Sequence, residues 1–182
     1  MQNEEKTLLP PSRNIELKCQ CRDLKAAIAT VLKLSPLVDA GLQHQIDTYF
    51  FVPHGRLKLR EIVGVRAELI WYDRSDEARS RQSDYRLTPI THPAELKASL
   101  AAGLGVRGEV VKRRHVLLWH NVRIHLDEVE GLGSFIEFEA VISNGEDEAT
   151  GHARLKHLCE VLNVSPEDYL DKSYADLKGL ES

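Results

Sequence analysis

A chain of 182 residues, 42 % apolar and 29 % charged, is long enough for one domain with a buried core and too short for two of full size. Its 24 Lys and Arg are interleaved with 28 Asp and Glu for a net charge of −4, which excludes the bulk basic field of a nucleic-acid-binding protein. No apolar stretch approaches the roughly 20 residues of a membrane span, and the start Met-Gln-Asn-Glu-Glu-Lys lacks the basic-then-apolar layout of a signal peptide, so a cytoplasmic location without membrane contact is expected.

A flexible tail is expected over residues 1–12, ahead of a single domain over 13–182. In the first strand, 13–21, Asn14, Glu16, Lys18 and Gln20 alternate with Ile15, Leu17, Cys19 and Cys21. Leu24, Ile28, Val31 and Leu32 then recur at helical spacing in a helix that Pro36 ends. Residues 44–53 form a strand, and His54-Gly55 turns it into a basic strand, 56–62, that points Arg56, Lys58 and Arg60 one way. A strand at 68–74, a polar loop at 75–83 and a strand at 84–90 follow. Pro93 opens a helix that stops at Gly103 or Gly105. Strands are expected at 107–112, 114–119, 121–128 and 134–142, and a helix from Asp147 or Glu148 to about Asn163 carries Leu155, Leu158, Val161 and Leu162 on one side. Ser165-Pro166 is an N-cap followed by proline at the first position, the start of another short helix.

About nine strands joined by short turns mean a mainly antiparallel sheet in an α+β fold. Its polar stripe is unusual: Glu16, Lys18, Arg123, Asp127, Glu137 and Glu139 all stand opposite clean apolar faces. Charges facing inward each need a partner, because an unpaired buried ion costs several kcal/mol. An eight-stranded closed barrel has an interior just wide enough for side chains or one small ligand. The expected architecture is therefore a β-barrel or tunnel with a polar lumen and helices packed outside.

Magnesium and manganese bind oxygen ligands, through a few carboxylates plus substrate phosphate oxygens. Glu16, Asp127, Glu137 and Glu139 are suited to that role. Phosphates are held by Arg forks and Lys point charges, which Lys18, Arg56, Lys58, Arg60, Lys112, Arg114 and Arg123 can supply. For Arg56 or Arg123 alone, a solvated strand face with surface ion pairs explains the residue as well. Glu137 and Glu139 repel each other two apart on a strand unless a cation sits between them, so neutralising one should leave the fold intact or more stable.

Other residues point to chemistry less well. His115, His120 and His125 fall five apart but straddle expected turns, which reads as surface or hairpin histidines rather than a metal trio. Cys19, Cys21 and Cys159 make no disulfide framework and read as buried thiols. Ser83 has no His-Asp pattern to activate it, and Tyr49 and Tyr85 fit a tunnel wall or a core equally well. There is no glycine-rich phosphate loop.

The stretches Asn14-Ile-Glu16-Leu-Lys18, Asp47-Thr-Tyr49, Arg56-Leu-Lys58-Leu-Arg60, Glu68-Leu-Ile-Trp-Tyr-Asp-Arg74, Lys112-Arg-Arg114, Arg123-Ile-His-Leu-Asp127, Ser134-Phe-Ile-Glu137-Phe-Glu139 and Ser173-Tyr-Ala-Asp-Leu177 together resemble the CYTH superfamily of triphosphate tunnel metalloenzymes. The Arg-x-His-Leu-Asp and Ser-Tyr-x-Asp-Leu segments are most similar to the class IV adenylyl cyclase branch. The resemblance implies Mg²⁺ or Mn²⁺ held by Glu16, Asp127, Glu137 and Glu139. It implies a triphosphate such as ATP bound by Lys18, Arg56, Lys58, Arg60, Arg74, Lys112, Arg114 and Arg123, with Lys18, Arg60 and Lys112 catalytic. A homodimer is compatible with it. One position departs from the family's Glu-x-Glu-x-Lys signature, Asn14 standing for the first Glu. The implied activity is cyclisation of ATP to cyclic AMP and pyrophosphate. The alternatives are hydrolysis of thiamine triphosphate, inorganic triphosphate or a nucleoside triphosphate, and a non-catalytic polyphosphate sensor.

Overall fold

A computed structural model describes residues 12–74, 79–142 and 147–180. Among these residues there are nine strands and four α-helices: β1 (Ser12–Gln20), α1 (Leu24–Val31), β2 (Val38–Phe50), β3 (Arg56–Ile62), β4 (Arg66–Arg74), β5 (Arg81–Ile90), α2 (Pro93–Leu104), β6 (Val106–Trp119), β7 (Val122–Val129), β8 (Gly133–Ile142), α3 (Glu148–Val161), β9 (Tyr169–Leu170) and α4 (Tyr174–Leu177). All pairings are antiparallel, in the order β5-β4-β3-β2-β6-β7-β8-β1-β9. A further pairing of β5 with β1, in which Asn14 lies opposite Ser83, closes eight strands into a barrel, as the charged stripes require.

Several boundaries differ from those read in the sequence, and the barrel explains them. The loop expected to run to Ser83 ends by Arg81, because residues 81–85 pair with β1 to close the ring. Residues 75–78 of that loop, and 1–11 of the tail, lie outside the described residues. The two strands expected at 107–112 and 114–119 are one, β6: Lys112 and Arg114 are buried and face the lumen, while Arg113 between them is exposed. Three successive basic residues look like a break only if the middle of the strand has no polar interior to enter. Strand β2 begins at Val38 rather than 44, and a register shift between Asp39 and Gly41, the latter at φ 89°, lets its early part follow β6. The segment after Pro166 forms only a single 3₁₀ turn, Pro166–Asp168, before β9 and α4.

Alternation places the apolar residues on the outer face of the barrel. Ile15, Leu17 and Cys19 of β1, Ile124 and Leu126 of β7, and Ile136, Phe138 and Ala140 of β8 pack with Ala27 and Val31 of α1 and Leu155, Leu158 and Cys159 of α3. Each large side chain so buried contributes about 1.5–3 kcal/mol. Helix α3 sits close because Gly151 faces the barrel, where a Cβ would stand 3.0 Å from Ile15. The helix starts at Asp147, whose side chain accepts from the Thr150 amide.

One end of the tunnel is filled from within. Tyr49, Val110, Val129 and Phe135 line it and enclose Tyr174 and Ala175 of α4. Ser173 and Asp176 cap this helix reciprocally. Arg107 donates to the Leu180 carbonyl, and a Cβ at Gly108 would stand 2.5 Å from the Leu180 side chain, so the chain after α4 is pressed against β6. No described helix is long and apolar enough to cross a membrane.

Candidate tunnel site

The lumen holds a cavity of about 120 Å³ lined by Asn14, Glu16, Lys18, Tyr49, Lys58, Arg60, Tyr72, Ser83, Tyr85, Lys112, Arg114, Arg123, Glu137, Glu139, Ser173 and Tyr174, with Ile70 and Leu87. Strand register decides this set. Lys18 stands opposite Glu137 and Glu16 opposite Glu139 across β1 and β8. His125 stands opposite Glu137 and Arg123 opposite Glu139 across β7 and β8.

On the β2–β3–β6 wall, three cations converge on Asp47, which is 0 % exposed. Arg60 grips it with two hydrogen bonds, 2.7 and 2.8 Å, while Lys58 at 3.1 Å and Lys112 at 2.8 Å share its second oxygen. Burial alone would raise the Asp47 carboxyl, but Arg60, Lys112 and Lys58 hold it well below the usual carboxylate range. Burial and the neighbouring Arg60 charge, partly offset by Asp47, bring Lys58 down to about 8. The same combination pulls Lys112 well below an ordinary lysine in spite of its ion pair, since one carboxylate is divided among three cations. The sequence reading named Asp47 only within the stretch Asp47-Thr-Tyr49 and gave it no role. Its place two residues from buried Gln45 and Tyr49, on a face paired with both basic strands, was the available signal.

On the β6–β7–β8 wall, Arg114 spans two acids. It donates to both oxygens of Asp127 at 2.7 and 2.6 Å and to Glu137 Oε2 at 2.6 Å. Tyr174 Oη donates to Asp127 Oδ2 at 2.7 Å. Asp127, expected among the metal ligands, pairs with Arg114 through both oxygens and, unlike Glu16, Glu137 and Glu139, is not among the residues that line the cavity. Glu137 Oε1 lies 3.2 Å from Lys18 Nζ. Burial opposes ionisation of Glu137, yet Lys18 and Arg114 hold it well below an ordinary glutamate. Glu139 is more loosely held, 3.5 Å from Arg123. Burial likewise opposes its ionisation, with His125, Arg114 and Arg123 lowering it on balance.

The expected residues therefore divide. Lys18, Lys58, Arg60, Lys112, Arg114, Arg123, Glu16, Glu137 and Glu139 share the cavity. Arg56 turns instead toward Asp176, 3.5 Å away, at the end filled by α4. The Arg74 side chain lies outside the described residues, although its backbone pairs with Ser83. Tyr49, Tyr85 and Ser83 line the cavity, and no histidine is among its lining residues.

The three histidines at five-residue intervals are scattered, as expected for His115 and His120 but not for His125. His115 bonds Asp39 at 2.8 Å, and His120 sits at φ 53° in a turn, edge-on to Trp119. His125 is 5 % exposed, its Nδ1 3.7 Å from Glu137 and 3.8 Å from Glu139. Its parity with Arg123 and Asp127 already placed it inward. The three thiols are free, with Cys19 and Cys159 buried.

Comparison with known proteins agrees with this geometry. The CYTH domain profile matches residues 12–174, and the chain belongs to that family. A Methanocaldococcus jannaschii protein named as a putative adenylate cyclase is 32 % identical over 69 residues, covering 38 % of this chain and 39 % of the relative's length. The PH1012 protein of Pyrococcus horikoshii superposes with a TM-score of 0.79 at 23 % identity over 90 % of this chain and 98 % of that one. A Vibrio parahaemolyticus structure, also titled a putative adenylate cyclase, gives 0.75 at 24 % identity over 93 % and 99 %. At these identities the two structures bear on the fold alone.

Proposed function

We propose that the tunnel binds a nucleoside triphosphate with Mg²⁺ or Mn²⁺ and cyclises ATP to cyclic AMP and pyrophosphate. The observation that carries this reading is one cavity in which Lys18, Lys58, Arg60, Lys112, Arg114 and Arg123 face Glu16, Glu137 and Glu139. Cations alone would suit any polyanion. The added carboxylates suit a polyanion that arrives with a divalent ion. The residues fit such an ion: Glu16, Glu137 and Glu139 offer hard oxygen donors, and Asn14 Oδ1 is buried without a hydrogen-bond partner among the described residues. When bound, the metal supplies charge neutralisation to the phosphates.

In this reading Lys58, Arg60 and Lys112 exchange part of their hold on Asp47 for phosphate oxygens, and Lys18 and Arg114 cover the same chain from the opposite wall. The ribose 3′ hydroxyl oxygen attacks the α-phosphorus as the bond to the β-phosphate oxygen breaks, its proton passing to the departing pyrophosphate or to water. The charge then gathering on pyrophosphate falls where the basic wall is already fixed, so little reorganisation is needed. Asp127 and Asp47 keep the cations in place when the tunnel is empty. The cyclase reading rather than hydrolysis draws on the names of the relatives and on Arg123-Ile-His-Leu-Asp127.

Chromatography of products after incubation with ATP and Mn²⁺ tests it. Cyclic AMP with pyrophosphate is expected. ADP with orthophosphate and no cyclic AMP would replace cyclisation with hydrolysis at the terminal phosphorus on the same wall. Tight tripolyphosphate binding with neither product would make the protein a sensor.

A further inference from the structure

We propose that His125 is a direct ligand of the tunnel's divalent cation, through Nδ1 and together with Glu137 and Glu139, and that the site in consequence favours first-row transition ions over Mg²⁺. This rests on the metal-dependent reading above and adds to it a nitrogen donor.

Three observations support it. His125 is 5 % exposed, and its Nδ1 is buried with no hydrogen-bond partner among the described residues, an unfavourable arrangement if nothing ever occupies it. That nitrogen is aimed at two carboxylates, yet stands 3.7 Å from Glu137 Oε2 and 3.8 Å from Glu139 Oε1, too far to bond either. One donor atom from each of the three side chains lies within 4.8 Å of the others. Donors about 2.1 Å from a shared ion are spaced about 3.0 Å apart when adjacent and about 4.2 Å when opposite, so the two imidazole–carboxylate gaps fall in that range and suit no hydrogen bond, while a donor spacing as wide as 4.8 Å must narrow when the ion is gripped.

Strand register makes the site stiff. His125 and Glu137 are directly opposed on β7 and β8, and Glu139 is the next inward residue of β8. The charge balance also favours a neutral donor here. Lys18 and Arg114 already occupy Glu137 and Arg123 approaches Glu139, so the site holds two carboxylates among three cations. A lone pair from imidazole adds binding without adding charge. Imidazole suits Mn²⁺ and the later first-row ions better than Mg²⁺, which keeps to oxygen. Asn14 points the same way, since a lost carboxylate on β1 weakens the all-oxygen alternative.

The test is pulsed electron paramagnetic resonance of the whole protein loaded with Mn²⁺ in the presence of tripolyphosphate. Nitrogen modulation of the Mn²⁺ echo is expected for the wild type and its loss is expected for His125→Gln. By calorimetry, His125→Gln should weaken Mn²⁺ about tenfold or more, the loss seen when even a partner of a ligand is removed. Mg²⁺ should change by less than about threefold, because it gains little from imidazole. Bound Mn²⁺ without nitrogen modulation in the wild type overturns the histidine ligand while leaving the metal reading standing, and needs no variant to fold. Modulation that persists in His125→Gln also overturns it. Absence of any bound Mn²⁺ in the wild type overturns both readings.

Discussion

Tyr174 Oη donates to Asp127 Oδ2 at 2.7 Å, so helix α4 is bonded to the counterion of Arg114, a buried arginine of the tunnel. The Lys18 ammonium rests 4.0 Å above the same ring, and Phe135 packs beside it. One side chain therefore closes the tunnel end and sets the charges next to the cavity.

Replacing Tyr174 by Phe keeps the ring and removes the hydroxyl. Hydrogen bonds to a charged group are worth about 1.5–3 kcal/mol, and the denaturation midpoint should fall by that amount of stability. Because Arg114 still holds Asp127 through both oxygens, tripolyphosphate affinity should change less than about threefold. Urea titration and calorimetry measure the two separately. A large loss of affinity with unchanged stability would mean that the hydroxyl acts on the ligand.

Asp47 organises three cations, and Asp47→Asn leaves them facing one another without a counter-charge. Breaking a buried pair in this way costs about 3–5 kcal/mol. Added tripolyphosphate should restore much of the thermal stability, since it supplies the missing anion. A variant as stable as the wild type without ligand would show that the three cations do not depend on Asp47.

The closed barrel and its polar interior were legible because alternation is a direct readout of strand faces, and charges on the face opposite Ile15, Leu17, Ile136 and Phe138 had nowhere else to go. Alternation does not say how far along the tunnel a residue sits. Arg56 and Lys58 share a parity, yet Arg56 meets Asp176 at the filled end while Lys58 meets Asp47 in the cavity. Nor does it say which charges satisfy each other: Asp127 was grouped with the metal carboxylates, and only cross-strand register brings Arg114 opposite it. His125 was passed over because three equally spaced histidines were weighed together, although its neighbours Arg123 and Asp127 fixed its direction.

Lys58, brought down to about 8 by burial and Arg60, gives the tunnel a pH dependence. Its charge is present below that value and lost above it, so tripolyphosphate should bind more weakly as pH rises from 7 to 9.5. Lys58→Arg, which stays protonated, should lose less affinity over the same range. Stability moves the other way. An unfolded lysine titrates near 10.4, so between about 8 and 10.4 the folded chain binds fewer protons than the unfolded one, and this residue's contribution to stability rises with pH. Parallel calorimetric series of wild type and variant decide it, with equal slopes counting against Lys58.

Glu137 and Glu139 were expected to repel, so that neutralising one would relieve the fold. The cations paired with Glu137 reverse that expectation for it. Lys18 at 3.2 Å and Arg114 at 2.6 Å hold its carboxylate, and Glu137→Gln should destabilise the ligand-free protein by about 3 kcal/mol while abolishing metal binding. The folded Glu137 titrates well below an ordinary glutamate, so its stabilisation is complete above about pH 4.5 and is lost as pH falls through the folded value. Wild-type stability should fall more steeply with acid than that of Glu137→Gln. A more stable variant would restore the repulsion argument.

Asn14 occupies the one position where the chain departs from the Glu-x-Glu-x-Lys pattern, and its environment suits the missing carboxylate. It is 5 % exposed, faces the cavity on the same side of β1 as Glu16, and lies opposite Ser83 on β5. Asn14→Glu would place a further acid beside Glu16 and near Glu139, a crowding of like charges that disfavours the ionised forms when no cation is present. The metal-free variant should therefore melt at a lower temperature than the wild type. Mg²⁺ should bind on the order of tenfold more tightly, about 1.4 kcal/mol, because an added hard oxygen donor helps it most. Thermal melts with and without Mg²⁺ read both effects in one experiment: the gap between the two curves should widen in the variant. A variant whose melting temperature and Mg²⁺ response both match the wild type would place residue 14 outside the metal's reach and leave Glu16 as the β1 carboxylate that matters.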